Sequence, residues 1–126
     1  MISHVTLGTS DLLRASHFYS EILSPMAAEE IYRSDTVIFW QFNGSPTKLA
    51  ITIPYDRQPA SFGNGTMLAL DVGGIEKVDE IFSLALKLGG ISEGDPGFRN
   101  LDSFYGAYFR DLDGNKIAIF TRQNTG

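Results

Sequence analysis

At 126 residues, with 43% hydrophobic and 20% charged side chains, the chain has the length and composition of one folded globular domain. It has no Cys, which excludes disulfides, thiolate metal sites and cysteine nucleophiles. Its net charge of −5 and lack of any basic run argue against nucleic-acid or anionic-membrane partners. No stretch reaches the roughly 20 apolar residues of a membrane span, and Ser3, His4 and Thr6 interrupt the layout of a signal peptide, so a cytoplasmic protein is expected.

The chain opens with ISHVTLG, an alternating strand with Ile2, His4 and Thr6 on one side and Val5 and Leu7 on the other. Ser10 and Asp11 suit a helix start. Leu12, Ala15, Phe18, Tyr19 and Ile22 follow as an apolar stripe at spacings of three and four, and Pro25 ends that helix. AAEEIYR, DTVIFWQF and KLAITIP predict three more strands, with Asn43-Gly44 the clearest hairpin signal. GTMLALDV is a further strand. Gly73-Gly74 then precedes a helix striped with Ile75, Val78, Phe82, Ala85 and Leu86, which Gly89-Gly90 closes. Strands are expected near GISEGD, over SFYGAYFR and over NKIAIFTR.

The order of elements therefore occurs twice. WQFNGSPTKLAIT from Trp40 aligns without a gap on YFRDLDGNKIAIF from Tyr108, so that Lys48, Leu49, Ala50 and Ile51 fall on Lys116, Ile117, Ala118 and Ile119. The opening strands align as well, His4 against Met67. Self-similarity over half the chain implies two copies of one unit rather than a many-repeat array. The predicted fold class is α+β: tandem βαβββ modules at about 1–54 and 66–126, joined by a polar linker at 55–65. They are expected to form a curved, cup-like mixed sheet with the helices outside.

Strand alternation assigns the faces. His4 and Thr6, with Met67, Ala69 and Asp71, should line the cup. If each hairpin pairs symmetrically about its turn, Trp40 lies opposite Ala50 and Tyr108 opposite Ala118, with Thr52, Phe104 and Phe120 on the same face. Val5, Leu7, Leu68, Leu70, Ile117 and Ile119 then pack under the helices. A register slip of one residue inverts such a list.

ISHVTLGTSDLLRASHFYSEIL, GNGTMLALDV and RDLDGNKIAIF together resemble the vicinal oxygen chelate superfamily, which includes glyoxalase I, bleomycin-resistance proteins, fosfomycin-resistance enzymes and extradiol dioxygenases. The resemblance covers essentially the whole chain. In that family's metal enzymes, His or Glu stands on the first and last strands of each module. The equivalent positions here are His4, Ala50, Met67 and Ala118, of which only His4 is a usual ligand. Three-ligand members commonly carry His where Met67 stands and Glu where Ala118 stands. FRNLDSFYGAY also lacks the His-rich loop of many relatives.

A divalent transition-metal site normally takes three protein ligands with N and O donors at about 2.0–2.2 Å, and a Met thioether is a soft donor better suited to Cu(I). No metal or other cofactor is therefore expected, a divalent metal being the alternative. Asp71 shares Met67's face but lies about 6.6 Å further along the strand, and a carboxylate there also suits the start of the next helix. His17, at i−4 from Glu21, reads as part of a solvated helix face.

The resulting expectation is a small-molecule-binding member of the family, its site lined by His4, Thr6, Trp40, Thr52, Met67, Asp71, Phe104, Tyr108 and Phe120, with Tyr105 adding to the aromatic complement. The ligand is unidentified, and acidic composition is compatible with a cation. The alternative is a family enzyme, a lyase, isomerase or thiol transferase, using His4 as its only candidate acid or base. A third reading is a regulatory protein whose fold outlived its chemistry. The resemblance further implies a homodimer.

Overall fold

The computed structural model describes residues 1–99 and 103–123. Residues 100–102, within the FRNLDSFYGAY segment, lie outside them. The chain divides into two units, Met1–Phe62 and Gly63–Gly126.

The first unit runs β1 (His4–Gly8), α1 (Leu12–Leu23), β2 (Glu29–Arg33), β3 (Val37–Gln41) and β4 (Lys48–Thr52). Its sheet has the order β1-β4-β3-β2, with β1 parallel to β4 and the other pairs antiparallel. Asp11 starts α1 from an extended conformation, its Oδ1 accepting the Arg14 N–H at 3.1 Å and satisfying one of the orphan donors of the first turn. The predicted stripe is the buried one: Ala15, Phe18, Tyr19 and Ile22 are all at most 2% exposed. Pro25 sits in a 3₁₀ turn at Ser24–Met26, and Ala27 at φ 55° redirects the chain into β2. Ala60, in the segment expected as linker, donates its N–H to Ser10 Oγ at 2.8 Å.

The second unit repeats the order as β5 (Leu68–Asp71), α2 (Ile75–Lys87), β6 (Ile91–Arg99), β7 (Phe104–Arg110) and β8 (Lys116–Arg122). Its sheet is β5-β8-β7-β6, again with one parallel pair. The two βαβββ units make an α+β chain, as the sequence predicts. Val78, Ile81, Phe82 and Ala85 form the buried stripe of α2. Leu86, expected in that stripe, is 37% exposed, because Ile81 at i+3 from Val78 holds the position facing the sheet. At the end of α2, Gly89 takes φ 104° and Gly90 donates to the Ala85 carbonyl at 2.8 Å, closing the last turn.

Two details of pairing depart from the sequence expectation. β6 continues past GISEGD to Arg99, straight through Pro96. A proline is tolerated there because β6 is an edge strand with irregular register between Gly94 and Gly97, so no ladder N–H is lost. The second departure is at the first hairpin. β3 and β4 pair Gln41 with Lys48 across residues 42–47, whereas β7 and β8 pair Arg110 with Lys116 across residues 111–115. The first turn is one residue longer, so the gap-free alignment of the two halves slips by one on its incoming strand.

The second turn is tightened by Asp111, whose Oδ1 accepts the N–H of Asp113 and of Asn115, each at 2.9 Å, while Oδ2 accepts from Asn115 Nδ2 at 2.9 Å. Gly114 completes it at φ 88°. The first turn has no such carboxylate; Gly44 takes φ 78° and Gln41 Nε2 reaches back to the Ser45 carbonyl.

Candidate functional site

Each sheet buries one face under its helix and leaves the other open. In the second unit, Leu68, Leu70, Ala107, Phe109, Ile117 and Ile119 point to the helix side, the last four buried and the two β5 leucines part-buried. The open face is read from the pairing. One row across the sheet is Gly94, Tyr108, Ala118 and Ala69; the next is Gly97, Gly106, Phe120 and Asp71; the third is Arg99, Phe104 and Arg122. A cavity of about 410 Å³ opens there, lined by Met67, Ala69, Arg99, Ser103, Phe104, Tyr108, Ala118, Phe120 and Arg122. That size is within the range of small-molecule sites.

The cavity has a floor of small residues and a rim of rings and cations. Ala118 is 2% exposed, set between Tyr108 on β7 and Ala69 on β5. Phe104 and Phe120 stack with centroids 4.9 Å apart and planes 13° from parallel. Glycine makes this arrangement fit. A Cβ on Gly106 would stand 2.6 Å from Phe104 Cε1, and one on Gly94 would stand 2.9 Å from Tyr108 Cδ2. Both rings thus lie down over bare backbone rather than standing clear of the sheet.

The charge of this face is positive, opposite to that of the chain. The Arg122 guanidinium lies 5.4 Å from the Phe104 centroid and 5.7 Å from that of Phe120. Tyr108 carries Arg99 at 5.7 Å and the Lys116 ammonium at 5.6 Å, distances at which a cation is attracted by the ring. Arg110, on the same strand face, is tied to Glu93 at 2.6 Å and to the Gly114 carbonyl at 3.0 Å. The hydrogen bond from Arg110 holds the Glu93 carboxyl below its ordinary value.

In the first unit the open face carries His4, Thr6, Phe39, Lys48, Ala50 and Thr52. His4 is exposed, with Nδ1 3.0 Å from Ser3 Oγ and its ring meeting that of Phe39 edge-on at 5.3 Å. Thr52 Oγ1 donates to the carbonyl of Thr36, just before β3, or to that of Ile53, just after β4. Another hollow in this unit, about 630 Å³ at the β3–β4 turn, is lined by Ala27, Glu29 and Gln41 to Pro46; it lacks the cations that frame the second unit's cavity.

Trp40 is a correction. It pairs with Leu49, not Ala50, and lies on the helix side, 2% exposed, with its ring 6.2 Å from that of Tyr19. Phe39 is the residue opposite Ala50. The extra residue in the first turn is the cause. Tyr105 is likewise on the helix side of its sheet, donating to Asp79 Oδ1 at 2.7 Å, a bond that raises the phenol's pKa. Asp71 keeps to the open side of β5, but its Oδ1 accepts the Gly73 N–H at 3.1 Å, so it serves the turn into α2 and is not among the cavity's lining residues. Arg99 and Arg122, which frame the cavity, were not anticipated from the sequence. Their places follow from the same row as Phe104, but only once β6 is known to reach Arg99.

The described residues that line the cavity do not offer the donor set of a transition-metal centre. Among the described residues no three His, Asp or Glu side chains gather closely enough to hold an ion, and the positions on the floor are Met67, Ala69 and Ala118. Among the described residues, too, no helix is long and apolar enough to cross a membrane.

The chain is similar over almost its full length to a glyoxalase/bleomycin resistance protein from Albidiferax ferrireducens T118, with 34% identity, 98% of this chain and 99% of the other covered, and a TM-score of 0.88. A glyoxalase-related enzyme from Fulvimarina pelagi shares 23% identity, covering 97% of this chain and 88% of that one at a TM-score of 0.77. The fosfomycin resistance protein FosX of Listeria monocytogenes, complexed with Mn(II) and sulfate, shares 24% over 98% of this chain and 90% of its own, at 0.73. The last two speak for the fold alone. No family model matches the sequence, and neither does any curated protein.

Proposed function

The chain belongs to the glyoxalase/bleomycin resistance/dioxygenase group of the vicinal oxygen chelate superfamily, and from that premise we propose that it is a small-molecule-binding member that works without a bound metal. The observation that carries this reading is the make-up of the second unit's cavity. Where the family's metal enzymes set a His and a Glu, this chain has Met67 and Ala118, and both line a cavity walled by rings. A methyl group offers no donor and a thioether is a poor one for a hard Lewis-acid ion, whereas an apolar floor with a few polar groups at its rim is the make-up of an organic ligand site.

The alternative is a family enzyme using His4 as acid or base. It needs a partner that sets the imidazole's tautomer and a site that excludes water. His4 is exposed and its hydrogen-bond neighbour is the adjacent Ser3, so the binding reading is preferred.

Restoring donors tests the assignment. The double variant Met67→His, Ala118→Glu should bind Ni or Mn at least about tenfold more tightly than the parent chain, since each added donor contributes to affinity. Calorimetric titration reads this directly. A double variant with no gain over the parent would show that these two positions do not correspond to metal ligands.

A further inference from the structure

We propose that the second unit's open face selects a planar organic anion, an aryl or otherwise conjugated carboxylate, held by Arg99 and Arg122 against the rings of Phe104, Phe120 and Tyr108. This rests on the reading of that face as the ligand site, and adds the ligand's charge and shape.

The pairing sets Arg99, Phe104 and Arg122 side by side on β6, β7 and β8. Two arginine backbones therefore flank one phenyl group, about 10 Å apart across two strand spacings, within reach of a common anion. Arg99 is already held in place: Nη2 donates to the Asp95 carbonyl at 2.7 Å, and a Cβ on Gly97 would come within 3.0 Å of its Nη1. Among the described residues neither guanidinium forms an ion pair. Among the described residues, Glu93 is engaged with Arg110, Asp71 with the Gly73 N–H and Asp95 with the Ser92 hydroxyl. Two like charges are thus concentrated on one face of a chain whose net charge is −5, an arrangement that an incoming anion relieves. The planar fork of Arg matches a carboxylate in two-point fashion.

The shape follows from the floor. Ala118 and Ala69 leave an apolar strip beside the stacked Phe104–Phe120 pair, on which a ring lies face-down or continues the stack. Because the rings are lodged over glycines, the surface is formed before the ligand arrives, which limits the ordering cost of binding.

The test compares naphthoate, naphthamide and naphthylmethylammonium by calorimetry on the full chain. Naphthoate should bind at least about tenfold more tightly than the amide, and the ammonium more weakly than either. Arg99→Gln and Arg122→Gln should each weaken naphthoate about tenfold and leave naphthamide unchanged, while Tyr108→Ala weakens both. Equal affinity for acid and amide, with neutral Arg variants and a responsive Tyr108→Ala, would overturn the anion selectivity and leave the site standing. No binding by any probe, or binding untouched by Tyr108→Ala, would overturn the selectivity and the site together.

Discussion

At the scale of single residues, Trp40 and Phe39 show how one position decides between core and site. Trp40 is buried beneath α1 and Phe39 sits on the open face, half-buried between His4 and Tyr32. Truncating a buried indole leaves a cavity that the surrounding side chains only partly fill, so Trp40→Ala should destabilise the fold by about 4 kcal/mol in a denaturant titration. Phe39→Ala, with solvent already on one side, should cost less than half as much. Comparable losses at the two positions would contradict the register. Gly106 offers a second case. Gly106→Ala pushes against the far edge of the Phe104 ring at 2.6 Å, so the cost in stability should be about 1–2 kcal/mol. The Phe104–Phe120 stack should be lost, with a visible change in the ring resonances of both. Asp111 is buried and holds the second turn through both carboxylate oxygens. Asp111→Ala leaves buried N–H groups without acceptors and should cost about 3 kcal/mol.

Among the elements, β2 is an edge strand with every residue exposed, paired to β3 through its ladder and the Tyr32–Phe39 ring contact and tied to α1 by Arg33. Arg33 makes a two-point bond to Glu30, at 2.9 and 2.7 Å, and a further one to Ser16 Oγ of α1 at 2.8 Å. The hydrogen bond from Arg33 lowers the pKa of Glu30 below its ordinary 4.5. A carboxylate whose folded pKa is depressed adds stability that is present above its unfolded pKa and is lost as pH falls through the folded one. The melting temperature of the parent chain should therefore exceed that of Glu30→Gln at neutral pH, and the gap should close as pH drops below about 4.5. A gap that persists in acid would assign the effect to packing. The same elements show what the sequence makes legible. Both helices, the order of elements along the chain and the two βαβββ units follow from periodicity, because an apolar stripe or an alternating strand records which face is buried. The face of the second hairpin was legible too, since its Asp-x-Asp-Gly-Asn turn fixes a register that symmetric pairing reproduces. The first hairpin was not: Phe42 to Thr47 carries no equivalent carboxylate, and alternation cannot reveal an added residue inside a turn. The reach of β6 was hidden for a related reason, as Gly94, Pro96 and Gly97 read as a break while an edge strand accommodates them as bulges.

For the whole molecule, composition and local chemistry point in opposite directions. A net charge of −5 is compatible with a cationic ligand, yet Arg99, Lys116 and Arg122 gather on a face that has both a cavity and stacked rings. Charge summed over a chain describes solubility and long-range encounter, whereas ligand choice is set by the groups within a few ångströms. Family membership supplies the fold, and sites grafted on a fold supply function. Here the cavity presents methyl, thioether and phenyl groups from Ala118, Met67, Phe104 and Phe120. We further propose a homodimer on the basis of the resemblance, for which light scattering should return twice the mass of one chain. The central claim, organic-ligand binding without a metal, is tested most directly by elemental analysis of untagged protein incubated with Ni, Mn, Zn and Fe and then dialysed. The account predicts metal far below one equivalent per chain for all four. Retention of close to one equivalent of any of them would contradict it and give the enzyme reading, with donors completing a site around His4, the stronger case.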